Sequence, residues 1–252
     1  MLEKIIIYFL LFIIYSFIGW LMEVICKLIE KHRFINRGFL IGPICPIYGR
    51  GALLIILLLN PYKAKPILLF CMAIIICSIL EYFTSYIMEV IFKTRWWDYS
   101  TKKFNINGRI CLNTMLPFGI LGCVVTYIIN PFFINILSLI DLSILKTIAL
   151  ILFTIYLIDN ILSFDIIFKL RNTISNIEKD STEEISKKVR LIFQKRGGLY
   201  KRLVNAFPNM LSPKERLIAL KNKVNKEIEK LDKLSKLSVK AKSKETRRNR
   251  KG

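Results

Sequence analysis

The chain has 252 residues, 54% of them hydrophobic, with a mean hydropathy of +0.45 and a formal net charge of +21. The two properties belong to different regions, since residues 1–170 hold 15 Lys and Arg against 9 Asp and Glu, while residues 171–252 hold 24 against 9. The composition excludes a single soluble domain and indicates a membrane region, residues 1–170, followed by a basic region.

Five apolar stretches are each long enough to cross a bilayer core, which takes about 20 helical residues. They predict spans near residues 5–29, 39–60, 66–92, 110–129 and 144–170. The first is too long and bulky for the apolar core of a cleavable signal peptide, so we expect it to be retained. The predicted fold is all-α: a polytopic bundle of about five transmembrane helices.

The second stretch is rich in Gly and Pro and reads GFLIGPICPIYGRG at residues 38–51. This composition does not suit an ordinary continuous helix. It predicts a broken or re-entrant segment, of the kind that exposes backbone groups to a solute in transporters. Close helix packing at small residues is an equally good interpretation.

The connections differ in their content of Lys and Arg. Lys and Arg together number four in residues 27–37, two in 63–65, five in 93–109 and none in 130–141. Because cytoplasmic loops accumulate these residues, we expect the amino terminus outside and the basic tail in the cytoplasm. Asn60-Pro61 and Asn130-Pro131 predict two turns on the outer side.

The basic region divides into two parts. Residues 171–238 predict a cytoplasmic helical region, because Ser212-Pro213-Lys214-Glu215 is a capping-box start followed by apolar residues at helical spacing. Residues 239–252 predict a disordered basic tail. Its partners would be membrane lipids, including anionic headgroups. We expect no nucleic acid, because the arrangement of aromatic and basic residues matches no RNA-binding module.

Several ionisable side chains fall inside the predicted spans, where they usually face other helices or water. The candidates for a cavity or an ion pair are Glu23, Arg50, Glu81, Glu89 and Asp159. In one interpretation, Glu23 or Glu81 neutralises Arg50 and braces three helices. In the other, Glu23, Glu81 and Asp159 line a cytoplasm-facing polar cavity for a cation or polar solute, with Arg50 as counter-charge.

The loop that follows the third span combines aromatic and polar side chains. Its candidate residues are Trp96, Trp97, Asp98, Asn105, Asn107 and Arg109. An aromatic belt at headgroup level would explain the tryptophans but not their polar neighbours. We therefore expect an ordered interfacial cap with internal hydrogen bonds. Contact with a partner or substrate is the alternative.

Residues suited to catalysis or metal binding are few. The six cysteines form no CxxC pair and lie in or beside apolar stretches, and His32 is the single histidine. We expect the cysteines to pack as small hydrophobic residues, with no metal and no cofactor. No Ser/His/Asp set is recognisable, so we expect no enzyme. A lipid-modifying or cell-wall enzyme with Asp98 or Glu89 as general base is the least favoured hypothesis.

Six sequence blocks resemble the ABC-transporter permease family called type IV. They are YSFIGWLME at 15–23, NRGFL at 36–40, GPICPIYG at 42–49, EYFTS at 81–85, RWWDYS at 95–100 and NGRICL at 107–112. The resemblance covers roughly residues 10–125. The chain departs from it at Phe118, where a Trp is expected before Gly119.

The resemblance implies a membrane component of a transport system in the cell membrane of Gram-positive bacteria, without established substrate residues. No GxxxxGK[ST] motif occurs in the chain, so any nucleotide-binding subunit would be a separate protein. The sequence also leaves a homo-oligomer open. The alternative function is a non-transporting scaffold or regulator that recruits partners through its basic cytoplasmic tail.

Overall fold

Helices account for most of the described structure. The computed structural model describes residues 1–32, 34–36, 38–92 and 95–177. In these residues the predicted all-α class is confirmed, with one small two-stranded hairpin. The elements are α1 (Leu2–Lys31), α2 (Pro46–Leu59), α3 (Pro66–Phe92), β1 (Asn105–Ile106), β2 (Ile110–Cys111), α4 (Leu112–Val124), α5 (Asn130–Ser138) and α6 (Leu142–Ile177).

Four helical stretches of the described chain are long and apolar enough to cross a membrane. They are Leu2–Glu30, Pro66–Phe92, Leu112–Ser138 and Leu142–Lys169. A helix satisfies its own backbone hydrogen bonds, which is the condition for crossing lipid. The protein is therefore a multi-pass membrane protein.

The second predicted span contains only a short helix. Helix α2 has 14 residues, which corresponds to about 21 Å against a bilayer core of about 30 Å. It begins at Pro46, a position where the missing N–H of proline removes no helical hydrogen bond. Residues 38–45 before it have no regular secondary structure. The count of five spans consequently stays a prediction.

The irregular segment before α2 packs against the helices. The backbone N–H of Cys45 donates to the carbonyl of Ser16 at 2.9 Å, and Ser16 lies about 22 Å along α1 from the end of that helix. Leu40 is fully buried and Ile35 is nearly so. Protein thus covers part of this backbone, and irregular structure in a membrane is tolerated beside protein or a water-filled cavity.

The fourth predicted span is longer than expected. Helix α4, a π-helical turn at Val125–Ile129 and α5 follow one another directly from Leu112 to Ser138. The turn predicted at Asn130-Pro131 is therefore wrong. Pro131 lies at the start of α5, and the wider π-helical turn before it removes the close contact between its ring and the preceding turn. The chain reverses at residues 139–141 instead.

Small residues bring neighbouring helices into close contact. A Cβ at Gly49 of α2 would overlap Ser16 of α1, and a Cβ at Gly122 of α4 would overlap Ala73 of α3. Such contacts let helix backbones approach closely, which is a main source of packing energy inside lipid. The bundle is therefore tightest where α1 meets α2 and where α3 meets α4.

Helices α1 and α6 run in the same direction. Phe9 packs on Phe153 and Phe12 on Tyr156, with ring centroids 5.8 and 5.5 Å apart. The second contact lies three residues further along the chain than the first in both helices, so the helices are parallel. This direction agrees with a chain that alternates between the two sides of the membrane.

The predicted cytoplasmic region lies almost wholly outside the described residues. Helix α6 continues past the predicted end of the fifth span to Ile177, and so includes the first residues of the 171–238 region. The predicted capping box at Ser212 and the 239–252 tail lie outside the described part of the chain.

Candidate functional site

The polar stripe of α3 faces the interior of the bundle. Ser78, Glu81 and Ser85 recur at helical spacing, and each is less than a tenth exposed. Neither Ser78 Oγ nor Glu81 Oε2 has a hydrogen-bond partner among the described residues. A buried polar atom left in this state costs about 1–3 kcal/mol, so such atoms mark positions where another polar group can bind.

Glu81 lies where α3 meets the start of α4 and the loop before it. The Tyr99 hydroxyl donates to Glu81 Oε1 at 3.5 Å, and the Thr114 hydroxyl is within reach of the same carboxylate. Thr114 also forms the capping box of α4 with Cys111. The carboxylate is therefore near the positive end of the α4 dipole, which favours negative charge.

Glu23 reaches the same region from α1. Its Oε1 accepts a hydrogen bond from the Tyr48 hydroxyl at 2.8 Å, and Glu23 and Glu81 are close enough to interact electrostatically. The Tyr48 ring occupies the space beside Gly19, where any Cβ would overlap it. The structure thus brings these two predicted carboxylates together, beside a tyrosine that was absent from the predicted site.

Arg50 does not provide the expected counter-charge in the described structure. Its side chain is exposed and forms no ion pair with the described residues. The neighbouring Gly49 faces α1, while Gly51 faces Leu80 of α3. Arg50 lies between these two packed faces of α2 and points away from both. The described structure therefore contains neither of the predicted ion pairs of Arg50, with Glu23 or with Glu81.

Asp159 of α6 holds the irregular segment before α2. Its Oδ1 accepts the backbone N–H of Ile41 at 2.8 Å, and its Oδ2 accepts that of Gly42 at 2.9 Å. The hydroxyl of Ser163, which is buried, accepts from Ile41 at 3.1 Å and donates to Asp159 at 3.1 Å. Both carboxylate oxygens therefore bind backbone, and the place of Asp159 in a cavity wall stays a prediction.

Asn36 stabilises the beginning of the same segment. Its Oδ1 accepts hydrogen bonds from Trp20 Nε1 at 2.8 Å and from the N–H of Gly38 at 3.0 Å. Its amide donates to the carbonyl of Ile41 at 3.2 Å. Side chains therefore replace the helical hydrogen bonds that this backbone lacks.

Two arginines share the carboxylate of Glu89 near the end of α3. Glu89 Oε2 is 2.8 Å from Arg95 Nε and 2.8 Å from Arg109 Nη1. The Arg109 guanidinium also lies 5.6 and 5.3 Å from the ring centroids of Tyr82 and Tyr86, in the range of cation–π attraction. Glu89 thus fixes both ends of the 95–109 loop to α3, which makes it a structural anchor.

A tight turn closes the loop. Asn107 and Gly108 have φ of 52° and 65°, and the N–H of Arg109 donates to the carbonyl of Ile106 at 2.9 Å. Two consecutive positive φ values are the property of a type I′ turn, for which Asn-Gly is a preferred sequence. The turn sets the two-stranded hairpin in which Asn105 pairs with Cys111.

The polar candidates of the loop bond mostly to one another and to α3. Asp98 accepts from the N–H and hydroxyl of Ser100, and the Asn105 amide donates to the Lys102 carbonyl at 2.7 Å. Asn107 Nδ2 donates to the Tyr82 hydroxyl at 3.0 Å. We name residues 95–111 the cap loop, because these bonds fold it onto the last turns of α3.

The two tryptophans of the cap loop have different partners. Trp97 Nε1 donates to the carbonyl of Arg109 at 3.0 Å. Trp96 is buried against Phe39 and Phe92, with ring centroids 5.4 and 6.0 Å apart. Trp96 therefore packs the cap loop against the irregular segment, a contact that no spacing in the sequence could indicate.

Metal-binding geometry does not occur in the part of the chain that the structure describes. No group of three or more His, Cys, Asp or Glu side chains there could hold a metal ion. The six cysteines are free thiols. The side chains of the site supply carboxylate and hydroxyl oxygens, which bind polar or cationic groups.

The sequence profile of the family described as "Putative ABC-transporter type IV" matches residues 10–164. This range covers more than half of the chain and contains Glu23, Glu81, the cap loop and Asp159. No curated protein and no solved structure matches the chain significantly.

Proposed function

Because the chain belongs to the ABC-transporter type IV family, we propose that it is the permease-like membrane component of a transport system, with a polar site at Glu81 that opens to the cytoplasm. The family match and the four long apolar helices fit a membrane transport component. The position of the site and the direction in which it opens are our proposal.

The main support for the proposed site is the buried carboxylate of Glu81. Its carboxylate is buried in a candidate span, and one of its oxygens has no partner among the described residues. Tyr99 donates a hydrogen bond to it. Glu23, which accepts from Tyr48, is close enough to interact with it electrostatically. Ionisable side chains at membrane depth are costly and commonly belong to solute or ion pathways. A polar or cationic solute would supply the hydrogen bonds that Glu81 and Ser78 lack.

The irregular segment before α2 supports the same proposal. Its backbone is held by Asp159 and Asn36 through side-chain hydrogen bonds instead of a continuous helical ladder. Because α2 begins only at Pro46, next to Tyr48 and Glu23, this interruption adjoins the proposed site. Interrupted helices beside a polar site are a recurring feature of transporters.

We propose that the cap loop faces the cytoplasm and that the amino terminus lies outside a bacterial cell membrane. Residues 93–109 contain five Lys and Arg, the bias expected of a cytoplasmic loop. A separate nucleotide-binding subunit would supply ATP hydrolysis. Isolation of the protein from its native membranes without any such subunit, under conditions that preserve membrane complexes, would count against this part.

The transport role is tested by complementation of cells that lack the gene. The wild-type chain, Glu81→Gln and Asp165→Asn are expressed, and cellular ions and small solutes are compared by elemental and metabolite analysis. Asp165 is an exposed carboxylate paired with Lys169 on α6, so it is a matched control. We expect wild type and Asp165→Asn to restore the solute profile, and Glu81→Gln to fail despite equal membrane insertion. Equal restoration by Glu81→Gln would contradict the proposed site.

A further inference from the structure

The tip of the cap loop presents apolar side chains that the rest of the described protein does not cover. Phe104 is 79% exposed and Ile106 is 51% exposed. Lys102 and Lys103 precede them and are also exposed. We define Lys102, Lys103, Phe104 and Ile106 as the loop tip, which combines two large apolar groups with two positive charges.

The backbone of the loop tip is held in an unusual conformation. Phe104 has φ of 52°, a left-handed value that is rare for a bulky residue. Its neighbour Asn105 fixes the chain, because the Asn105 amide donates to the Lys102 carbonyl at 2.7 Å and its Oδ1 accepts from the Gly108 N–H at 2.9 Å. The exposure of Phe104 is therefore set by an ordered structure.

The depth of the cap loop follows from its contacts with α3. Asn107 bonds to Tyr82, and Arg109 bonds to Ser85 and Glu89. Because α3 begins at Pro66, about 20 residues carry it across a bilayer core to the neighbourhood of Ser85. The hairpin thus lies beside the level at which α3 leaves the hydrocarbon.

We propose that the loop tip is a lipid anchor that inserts Phe104 and Ile106 at the boundary of an anionic bilayer, with Lys102 and Lys103 at the lipid phosphates. Aromatic and aliphatic groups are stable at this depth. Each Lys near an anionic surface strengthens membrane attachment about fivefold. An anchored cap loop would keep Tyr99, which bonds to Glu81, at a fixed depth.

The proposal is tested by fluorescence with the full chain in vesicles. Phe104→Trp and, separately, Ile106→Trp are reconstituted into phosphatidylcholine with or without phosphatidylglycerol, and the wild-type emission of Trp20, Trp96 and Trp97 is subtracted. We expect the introduced indole to emit at shorter wavelength than in water, to be quenched by lipids brominated near the headgroup end, and to lose quenching by aqueous iodide.

A charge reversal separates the role of the lysines from simple apolar contact. Adding Lys102→Glu and Lys103→Glu to Phe104→Trp should restore iodide quenching in phosphatidylglycerol vesicles, and should change it much less in phosphatidylcholine alone. Leu139→Trp provides a matched control, because Leu139 is 85% exposed in the turn between α5 and α6 and has no Lys or Arg next to it in sequence. Because an anionic surface repels iodide, the change at this position gives the general effect of phosphatidylglycerol, and the loop tip should show a larger change.

Two outcomes would overturn the lipid anchor. One is iodide quenching of both tip indoles in both kinds of vesicle at the level of Trp in water. The other is an indole that is open to iodide in vesicles and becomes shielded only in native membranes, which would assign the loop tip to a protein partner. Neither outcome depends on whether the chain transports a solute, so this test is independent of the proposed function.

Discussion

Asp159 accepts the backbone N–H of Gly42 at 2.9 Å, across 117 positions of sequence. A Cβ at Gly42 would lie 2.9 Å from the same carboxylate oxygen, so the contact also requires the absence of a side chain. The bond connects α6 to the irregular segment that precedes α2. An acidic residue inside a predicted span thus serves first to complete the hydrogen bonding of a broken membrane segment.

Replacement of this acceptor should destabilise the fold. Asp159→Asn keeps one acceptor oxygen but exchanges the other for a donor, so it leaves the half-buried N–H of Ile41 or Gly42 without its charged partner. We expect a loss of about 1–3 kcal/mol in the free energy of unfolding, measured by denaturant titration in mixed micelles. Asp165→Asn removes one partner of an exposed ion pair on the same helix. This change should alter the free energy of unfolding by less than about 1 kcal/mol. Equal effects of the two substitutions would contradict this role of Asp159.

The glycines of α2 should differ sharply in their tolerance of alanine. A Cβ at Gly49 would overlap Ser16 and the backbone of Phe12, whereas a Cβ at Gly51 would lie 3.5 Å from Leu80 in ordinary contact. We expect Gly49→Ala to lower stability by about 1–3 kcal/mol, and Gly51→Ala to be neutral or to gain up to about 1 kcal/mol of helix propensity. Thermal unfolding in detergent compares the two. A tolerated Gly49→Ala would refute the close α1 and α2 contact.

Loss of the Glu89 charge should release the cap loop. Glu89→Gln weakens the ion pairs with Arg95 and Arg109, so the loop should open more often. Trypsin cleavage after Lys102 and Lys103 reports that opening. We expect cleavage on the order of tenfold faster than in wild type. Glu30→Gln, which alters a carboxylate near the end of α1 that pairs with Lys27, is the control and should cleave at the wild-type rate within the loop.

The sequence predicted local features well and long-range contacts poorly. Apolar length predicted the membrane helices, and Gly and Pro content predicted a departure from continuous helix before α2. The polar and aromatic residues of the cap loop predicted its internal hydrogen bonds. Each of these features depends on residues that are near in sequence, for which spacing and composition contain the needed information.

Three differences have physical causes that a single sequence does not reveal. Arg50 is exposed because Gly49 and Gly51 take the packed faces of α2. Asn130-Pro131 continues a helix because a π-helical turn precedes it. Asp159 binds backbone more than a hundred residues away. In each case tertiary packing decides the outcome, and neither local propensity nor spacing indicates which partner a residue will have.

The most direct test of the Glu81 site is its access to water. Ser78→Cys, a nearly isosteric change one turn from Glu81, and Leu69→Cys, at a fully buried apolar position of the same helix, are made in a chain whose six native cysteines are replaced. A charged, membrane-impermeant thiol reagent is applied from the cytoplasmic side of vesicles prepared from native-host cells. We expect Ser78→Cys to react and Leu69→Cys to remain unreactive. An unreactive Ser78→Cys, or equal reaction at both positions, would contradict a water-accessible site. Glu81 and the polar residues near it would then only hold the helices together, without access to water.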